Sequence, residues 1–438
     1  MTKNISLKKI GFLFLILFPI FFALNFADIS IYKIVMPLTV LLILFSLYLY
    51  RNVQIMMIII IYIALYFVYL FPFFYFGIQL SQYTIYNNVH NFEKVALMFY
   101  IFFLGLIFSS DLNLNMKKMK VSEVLFVNYS FSKRIILFFC SIVLVILTFS
   151  QGTNIYRAAN YYQAYKENLK LLGSSSLYGV IPLLILGFSY KSRKTRFLII
   201  GPFVFLYCIF AITRGTRMVL VPYVMLIFVL CFDLKFKSIY IVWLCMFGFV
   251  FLLVLNMVKA KISFEASNLF GTGTEYLISH HTDMDYICCA ILGLFDDNKI
   301  SPLLRFSTRL GTLLEVIVPP KILPDSWKYP HAIAGILPNG GGCPMFVVLY
   351  ISFFGFAGIF VMGVILSKLV SLLYKKGEKQ ISIKLIIVSI LIFSSRWISY
   401  DFHTILRFPA FAVIFYYFIK ITNFDLFFKL KLEYVEDK

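Results

Sequence analysis

Long apolar runs alternate with short polar breaks from one end of this chain to the other. A helix of about 18 apolar residues or more crosses a hydrocarbon core of roughly 30 Å, and in lipid a helix satisfies its own backbone hydrogen bonds. The pattern therefore predicts an all-α fold class, a polytopic integral membrane protein of about 12 spans forming one transmembrane domain over residues 1–438. The spans are expected at 10–27, 31–50, 54–76, 92–109, 133–151, 177–190, 197–212, 218–232, 238–258, 344–368, 382–396 and 402–420. The first run follows Lys3, Lys8 and Lys9, as a signal peptide does. It lacks a small-residue cleavage site and another span follows at once, so a retained anchor is expected.

Two polar intervals are longer than a connection requires. One is 152–176; the other is 259–343, a long loop expected to contain short helices. Within the second, 283–295 is apolar enough for a buried or interfacial helix, and 302–318 has the spacing of an amphipathic one. Pro319, Pro320 and Pro324 end it, and Asn339-Gly340-Gly341-Gly342 forms a turn-rich return to the tenth span.

Composition agrees with the pattern: 61% of residues are hydrophobic, against roughly 45–50% in soluble domains. The formal charge of +20 suggests nucleic acid only until the lysines are located. They crowd into alternate short loops, as the positive-inside rule requires, so no nucleic-acid partner is expected and both termini are placed in the cytoplasm. The arginines break that rule. Arg157, Arg214, Arg217, Arg305, Arg309, Arg396 and Arg407 all fall on the opposite face, as do His90, His280, His281, His331 and His403. The cysteines show no CxxC or Cys/His spacing and read as small hydrophobes. No metal or cofactor is expected, since His280-His281 with Asp283 and Asp285 matches no specific ligand spacing.

Arginine on that face needs a reason, and its planar fork of donors suits phosphate. In Thr213-Arg214-Gly215-Thr216-Arg217 two arginines three residues apart interrupt an apolar stretch. They either address one anion or form a tight turn whose side chains snorkel to headgroups. Arg305 and Arg309 lie one helical turn apart, on a binding face or a solvated one. Arg396, Asp401, His403 and Arg407 share the last hairpin, as a site or as a salt bridge pinning it. Arg157 sits in the smaller loop with Tyr161 and Tyr162. A general base for an attacking hydroxyl would be a histidine or carboxylate; His331 and His403 are the candidates.

About twelve spans, a large late outer loop, a smaller one before it and arginines in both resemble the Wzy-type O-antigen or capsular repeat-unit polymerases. The residues that carry the resemblance are Thr213 to Arg217 entering a span, and Pro338 to Gly358 (PNGGGCPMFVVLYISFFGFAG) leading the tenth. The resemblance implies a GT-C-like glycosyltransferase of the bacterial cytoplasmic (inner) membrane. It would join undecaprenyl-diphosphate-linked oligosaccharides into polysaccharide at the outer face, among membrane lipids, alongside a flippase and a chain-length regulator. Arg214 and Arg217, with Arg309 or Arg396, would clamp the diphosphate, Arg157 and Arg305 would assist with the sugar or diphosphate, and His331 or His403 would be the base. An O-antigen ligase shares this plan, and a flippase has a similar span count with shorter loops.

Overall fold

The computed structural model describes residues 31–51, 53–77, 89–109, 127–152, 154, 168, 175–214, 217–231, 240, 243, 246–247, 283–294, 302–314, 318, 322–324, 327, 343–376, 381–399 and 401–422. These residues are almost entirely helical, with no β-strand among them. In chain order the helices are α1 (Ile31–Leu49), α2 (Gln54–Phe76), α3 (Val89–Phe108), α4 (Phe131–Phe149), a 3-10 turn (Ser175–Gly179) running into α5 (Val180–Phe188), α6 (Arg193–Arg214) and α7 (Arg217–Cys231). There follow α8 (Asp283–Leu294), α9 (Pro302–Leu314), α10 (Met345–Ser352), α11 (Phe356–Lys376), α12 (Ile381–Ile392), α13 (Ser394–Ser399) and α14 (Thr404–Ile421).

Among the described residues, six helices are long and apolar enough to cross a membrane: α1, α2, α3, α4, α6 and α14. Four shorter apolar helices lie at Ser176–Phe188, Val219–Cys231, Phe356–Leu372 and Ile381–Ile392. The protein is thus an α-helical membrane protein. The expected span 10–27 lies outside the described residues, and so does 238–258 apart from four of its positions. The expected tenth span, 344–368, is not one helix; it breaks after Ser352 and resumes at Phe356. The expected eleventh, 382–396, also breaks, at Phe393. Helices α8 and α9 fall within 283–295 and 302–318, the latter ending at Leu314.

Around α3 gathers one group of helices, with α1, α8 and α11 packed against it and α10 against α11. A second group joins α4 to α5, α6 to α7 and α12 to α14, with α5 enclosed among α4, α7 and α14. Helix α5 is apolar all round and all nine of its residues are buried, as expected of a short helix wrapped by others. Lipid tails remove the hydrophobic reason for helices to associate, so close backbone approach must supply it. Gly105 of α3 and Gly363 of α11 do so. A Cβ on Gly105 would collide with the Phe360 carbonyl, and one on Gly363 with the Phe102 carbonyl. In the second group flat rings fill the interior: Phe393 stacks on Phe408 at 3.9 Å and Tyr207 on Tyr223 at 4.1 Å.

Residues that the alternating pattern of spans puts at one end do meet there. At the lysine-rich end the Tyr50 hydroxyl donates to the Leu106 carbonyl (3.2 Å) and bonds the Ser367 hydroxyl (2.6 Å), tying α1, α3 and α11. Lys133 donates to the Lys420 carbonyl at 3.0 Å. Arg196, fully buried, donates to the carbonyls of Tyr190 (2.7 Å) and Leu230 (3.1 Å). Those carbonyls lie just past the end of α5 and in the last turn of α7, near the negative poles of the two helices, which favour a cation.

Candidate functional site

The opposite end is built differently, because two helices are interrupted there. Between α10 and α11 the chain turns through Phe353, Phe354 and Gly355, with Phe354 at φ 66° and Gly355 at φ 63°. A phenylalanine in the left-handed region costs of order 1–3 kcal/mol and persists where surroundings fix it. Part of that surrounding is Arg309 of α9. Its Nε donates to the Ser352 carbonyl (2.5 Å) and its guanidinium lies 4.0 Å from the centre of the Phe354 ring. Arg309 thus sits at the negative pole of a half-helix, as Arg196 does at the ends of whole ones. Gly358 completes the bend, since any Cβ there would collide with the Phe353 carbonyl.

Helix α9, which meets the bend through Arg309, buries its small residues. Thr308, Gly311 and Thr312 are buried while Phe306 and Leu313 are exposed, the reverse of a helix dissolved in water. Gly311 lies directly against the Trp327 carbonyl.

The second interruption holds Arg396. After Phe393 the chain makes the short helix α13, and the indole N–H of Trp397 donates to the Ile390 carbonyl at 2.8 Å, filling the gap in the ladder. Arg396 pairs with Asp401 at 2.6 Å, each side chain being about a fifth exposed (17% and 19%). Asp401 is fixed through its backbone as well: its N–H donates to the Arg396 carbonyl (3.0 Å), and its own carbonyl accepts from the Thr404 hydroxyl (2.7 Å). His403 is buried at the N-cap of α14, and Arg407, also buried, lies one turn on.

The two interruptions touch. Cys343 and Asp401 form a parallel backbone bridge, and the rings of Phe353 and Phe402 face each other at 6.4 Å. Helix α2 braces the assembly. The Tyr62 and Tyr66 hydroxyls, 3.1 Å apart, both meet the Ser399 hydroxyl (2.9 and 3.0 Å).

Arg309 and Arg396 therefore meet at one joined pair of helix breaks, with buried His403 and Arg407 in the chain that follows. Arg214 is placed otherwise. Its Nε and Nη2 donate to the carbonyls of Gln151 (3.3 Å) and Phe149 (3.4 Å), closing the end of α4, while its own carbonyl accepts from Asn168 (3.3 Å). Arg217 opens α7, which packs against α13, and Arg305 precedes Arg309 by one turn of α9. Arg157 and His331 lie outside the described residues.

Sequence reasoning missed Tyr62, Tyr66, Ser399 and the bend at Phe354. The one signal for the bend was the pair Gly355 and Gly358 inside an apolar run. No group of His, Cys, Asp and Glu among the described residues has the geometry of a metal site. Chemically this end offers guanidinium groups, one carboxylate and one imidazole beside irregular backbone, a set suited to holding an anion near a hydroxyl. No protein-family model, curated protein or solved structure matches the chain.

Proposed function

We propose that the chain is a membrane glycosyltransferase of the Wzy type, with about 12 spans and both termini in the cytoplasm. It joins undecaprenyl-diphosphate-linked oligosaccharides into O-antigen or capsular polysaccharide at the outer face of the bacterial inner membrane. One observation carries the reading: Arg309 and the Arg396–Asp401 pair converge on Cys343–Gly355, the stretch that bears the resemblance. Irregular backbone at membrane depth is tolerated where it is enclosed by protein or lines a cavity, and arginine outside the positive-inside pattern calls for a ligand.

In this reading the acceptor hydroxyl attacks the anomeric carbon of the donor glycan. The bond from that carbon to the diphosphate oxygen breaks, undecaprenyl diphosphate leaves, and the hydroxyl proton passes to a base. Arginine stabilises charge developing on the leaving diphosphate without a metal. Arg309 and Arg396 take that part, with Arg214, Arg217, Arg157 and Arg305 toward the rest of the donor, and His403 or His331 accepts the proton.

The test is polymer length from the purified chain in vesicles supplied with lipid-linked repeat units and no lipid A acceptor. Wild type yields a ladder, while Arg396→Ala yields single repeats. Polymer of unaltered length from Arg396→Ala removes Arg396 from the machinery. Absence of polymer from wild type, with transfer restored by a lipid A acceptor, makes the chain a ligase instead. A lipid-linked-oligosaccharide transporter is the second reading, favoured by the break at Phe353–Gly355, because transporters hold substrate at the ends of half-helices. It predicts movement of repeat units across the vesicle membrane without bond formation.

A further inference from the structure

The other end of the molecule carries a cluster which that reading does not use. Helix α4 starts from Tyr129-Ser130-Phe131-Ser132-Lys133-Arg134. Ser130 holds the N-cap position, yet its hydroxyl makes no capping bond, although accepting from a first-turn N–H is what favours serine there. The Ser130 hydroxyl, the Tyr129 hydroxyl and the Arg134 Nε are all buried without a hydrogen-bond partner among the described residues. Tyr129 as a whole is only 5% exposed. A buried polar group left unpaired costs about 1–3 kcal/mol, and three within six residues at one helix start point to a partner from outside the chain.

The surroundings say which kind. The first-turn N–H groups of α4 and its positive pole belong to this same helix start. Arg134 is fixed over the Tyr190 ring at 5.2 Å, Tyr129 is set against the Tyr416 ring of α14 at 6.5 Å, and Lys133 is anchored beside them on the Lys420 carbonyl. Burial, and then Tyr416, raises the pKa of the Tyr129 hydroxyl above its ordinary value, so it keeps its proton and can donate. Three unpartnered donors and two cations thus lie within six residues of one helix start. Helix α4 is also the least enclosed of the long apolar helices described, and Phe131, Phe138 and Phe139 are exposed along it. An amphiphile can approach from the side.

We propose that the start of α4 is a phosphate-binding site. Tyr129, Ser130, Arg134 and the first-turn N–H groups together donate to one phosphate, supplied by an anionic phospholipid or by free phosphate. By the positive-inside rule this end faces the cytoplasm, where anionic lipid is plentiful and basic pockets between spans bind headgroups. The inference does not rest on glycan transfer.

The test follows the melting of the full-length chain in neutral detergent as short-chain phosphatidylglycerol, short-chain phosphatidylcholine or inorganic phosphate is added. Phosphatidylglycerol should raise the melting temperature saturably and phosphatidylcholine should not. Arg134→Gln should raise the half-saturating concentration about tenfold, the loss expected for a hydrogen bond to a charged group. Tyr129→Phe, which removes one oxygen and keeps the fold, should raise it a few-fold, and Arg51→Gln should leave it unchanged. Protection by phosphatidylglycerol alone assigns the phosphate to lipid; equal protection by inorganic phosphate, lost in the same variants, assigns it to the free anion. Wild-type response in both Arg134→Gln and Tyr129→Phe, or equal protection by phosphatidylcholine, overturns the site.

Discussion

Arg196 and Arg309 perform the same local act at opposite ends of the molecule, and the contrast between them separates frame from site. Both donate to carbonyls at the C-terminal ends of helices. Arg196 does so fully buried, bridging α5 and α7 at the ends of two regular helices. Arg309 does so at a helix stopped partway, against a phenylalanine in the left-handed region and next to a second interrupted helix. A cation that ends a finished helix adds stability and little else. One that holds an interrupted helix keeps irregular polar backbone and charge within an apolar run, at a cost in stability that an unbroken span avoids. The lysine-rich end reads as frame, and the arginine end is where the proposed glycan transfer would take place.

That contrast can be broken. Arg196→Ala strips the partner from two buried carbonyls and should cost about 3 kcal/mol, seen as aggregation or early melting in detergent. Arg196→Lys should recover less than half of it, because an ammonium lacks the fork that reaches both acceptors. Arg396→Ala should reduce polymer elongation about a hundredfold, the scale of one lost charge-stabilising donor, with a smaller loss of melting temperature than Arg196→Ala, since the Asp401 carboxylate it leaves unpaired keeps some exposure to solvent. If Arg396→Ala melts as badly as Arg196→Ala, the two ends do not differ in the way described.

Two smaller changes sharpen the picture. Gly363→Val forces bulk into the crossing of α3 and α11 and should cost about 2 kcal/mol, read by melting. Elongation per folded molecule should hold, since this crossing belongs to the frame. Gly355→Ala meets only ordinary contact with Tyr350, so its penalty is that of the positive φ alone, about 1 kcal/mol. Elongation should fall by more than that loss of stability accounts for, because the bend carries the site.

Much of the frame was legible in the sequence because span length is set by bilayer thickness and shows as uninterrupted apolar residues. The same rule hid the breaks. Met345 to Leu366 is apolar but for Ser352, so little in hydropathy marks Phe354; the left-handed phenylalanine is held by Arg309, from elsewhere in space, and by the tight bend at Gly358. The Arg396–Asp401 pair was readable because five residues within one hairpin bring the two together. Arg214 was not, since its acceptors lie at Phe149 and Gln151, more than sixty residues away. Tyr62 and Tyr66 were lost among 29 tyrosines, most of which an interfacial belt explains.

The central claim is that the arginine end recognises a lipid diphosphate. Its most direct test is the Kd of undecaprenyl diphosphate for the purified chain, compared among wild type, Arg309→Ala, Arg396→Ala and Arg51→Ala. Binding should weaken about tenfold in each of the first two variants and stay at the wild-type value in the third. Equal affinity across all four would contradict the account.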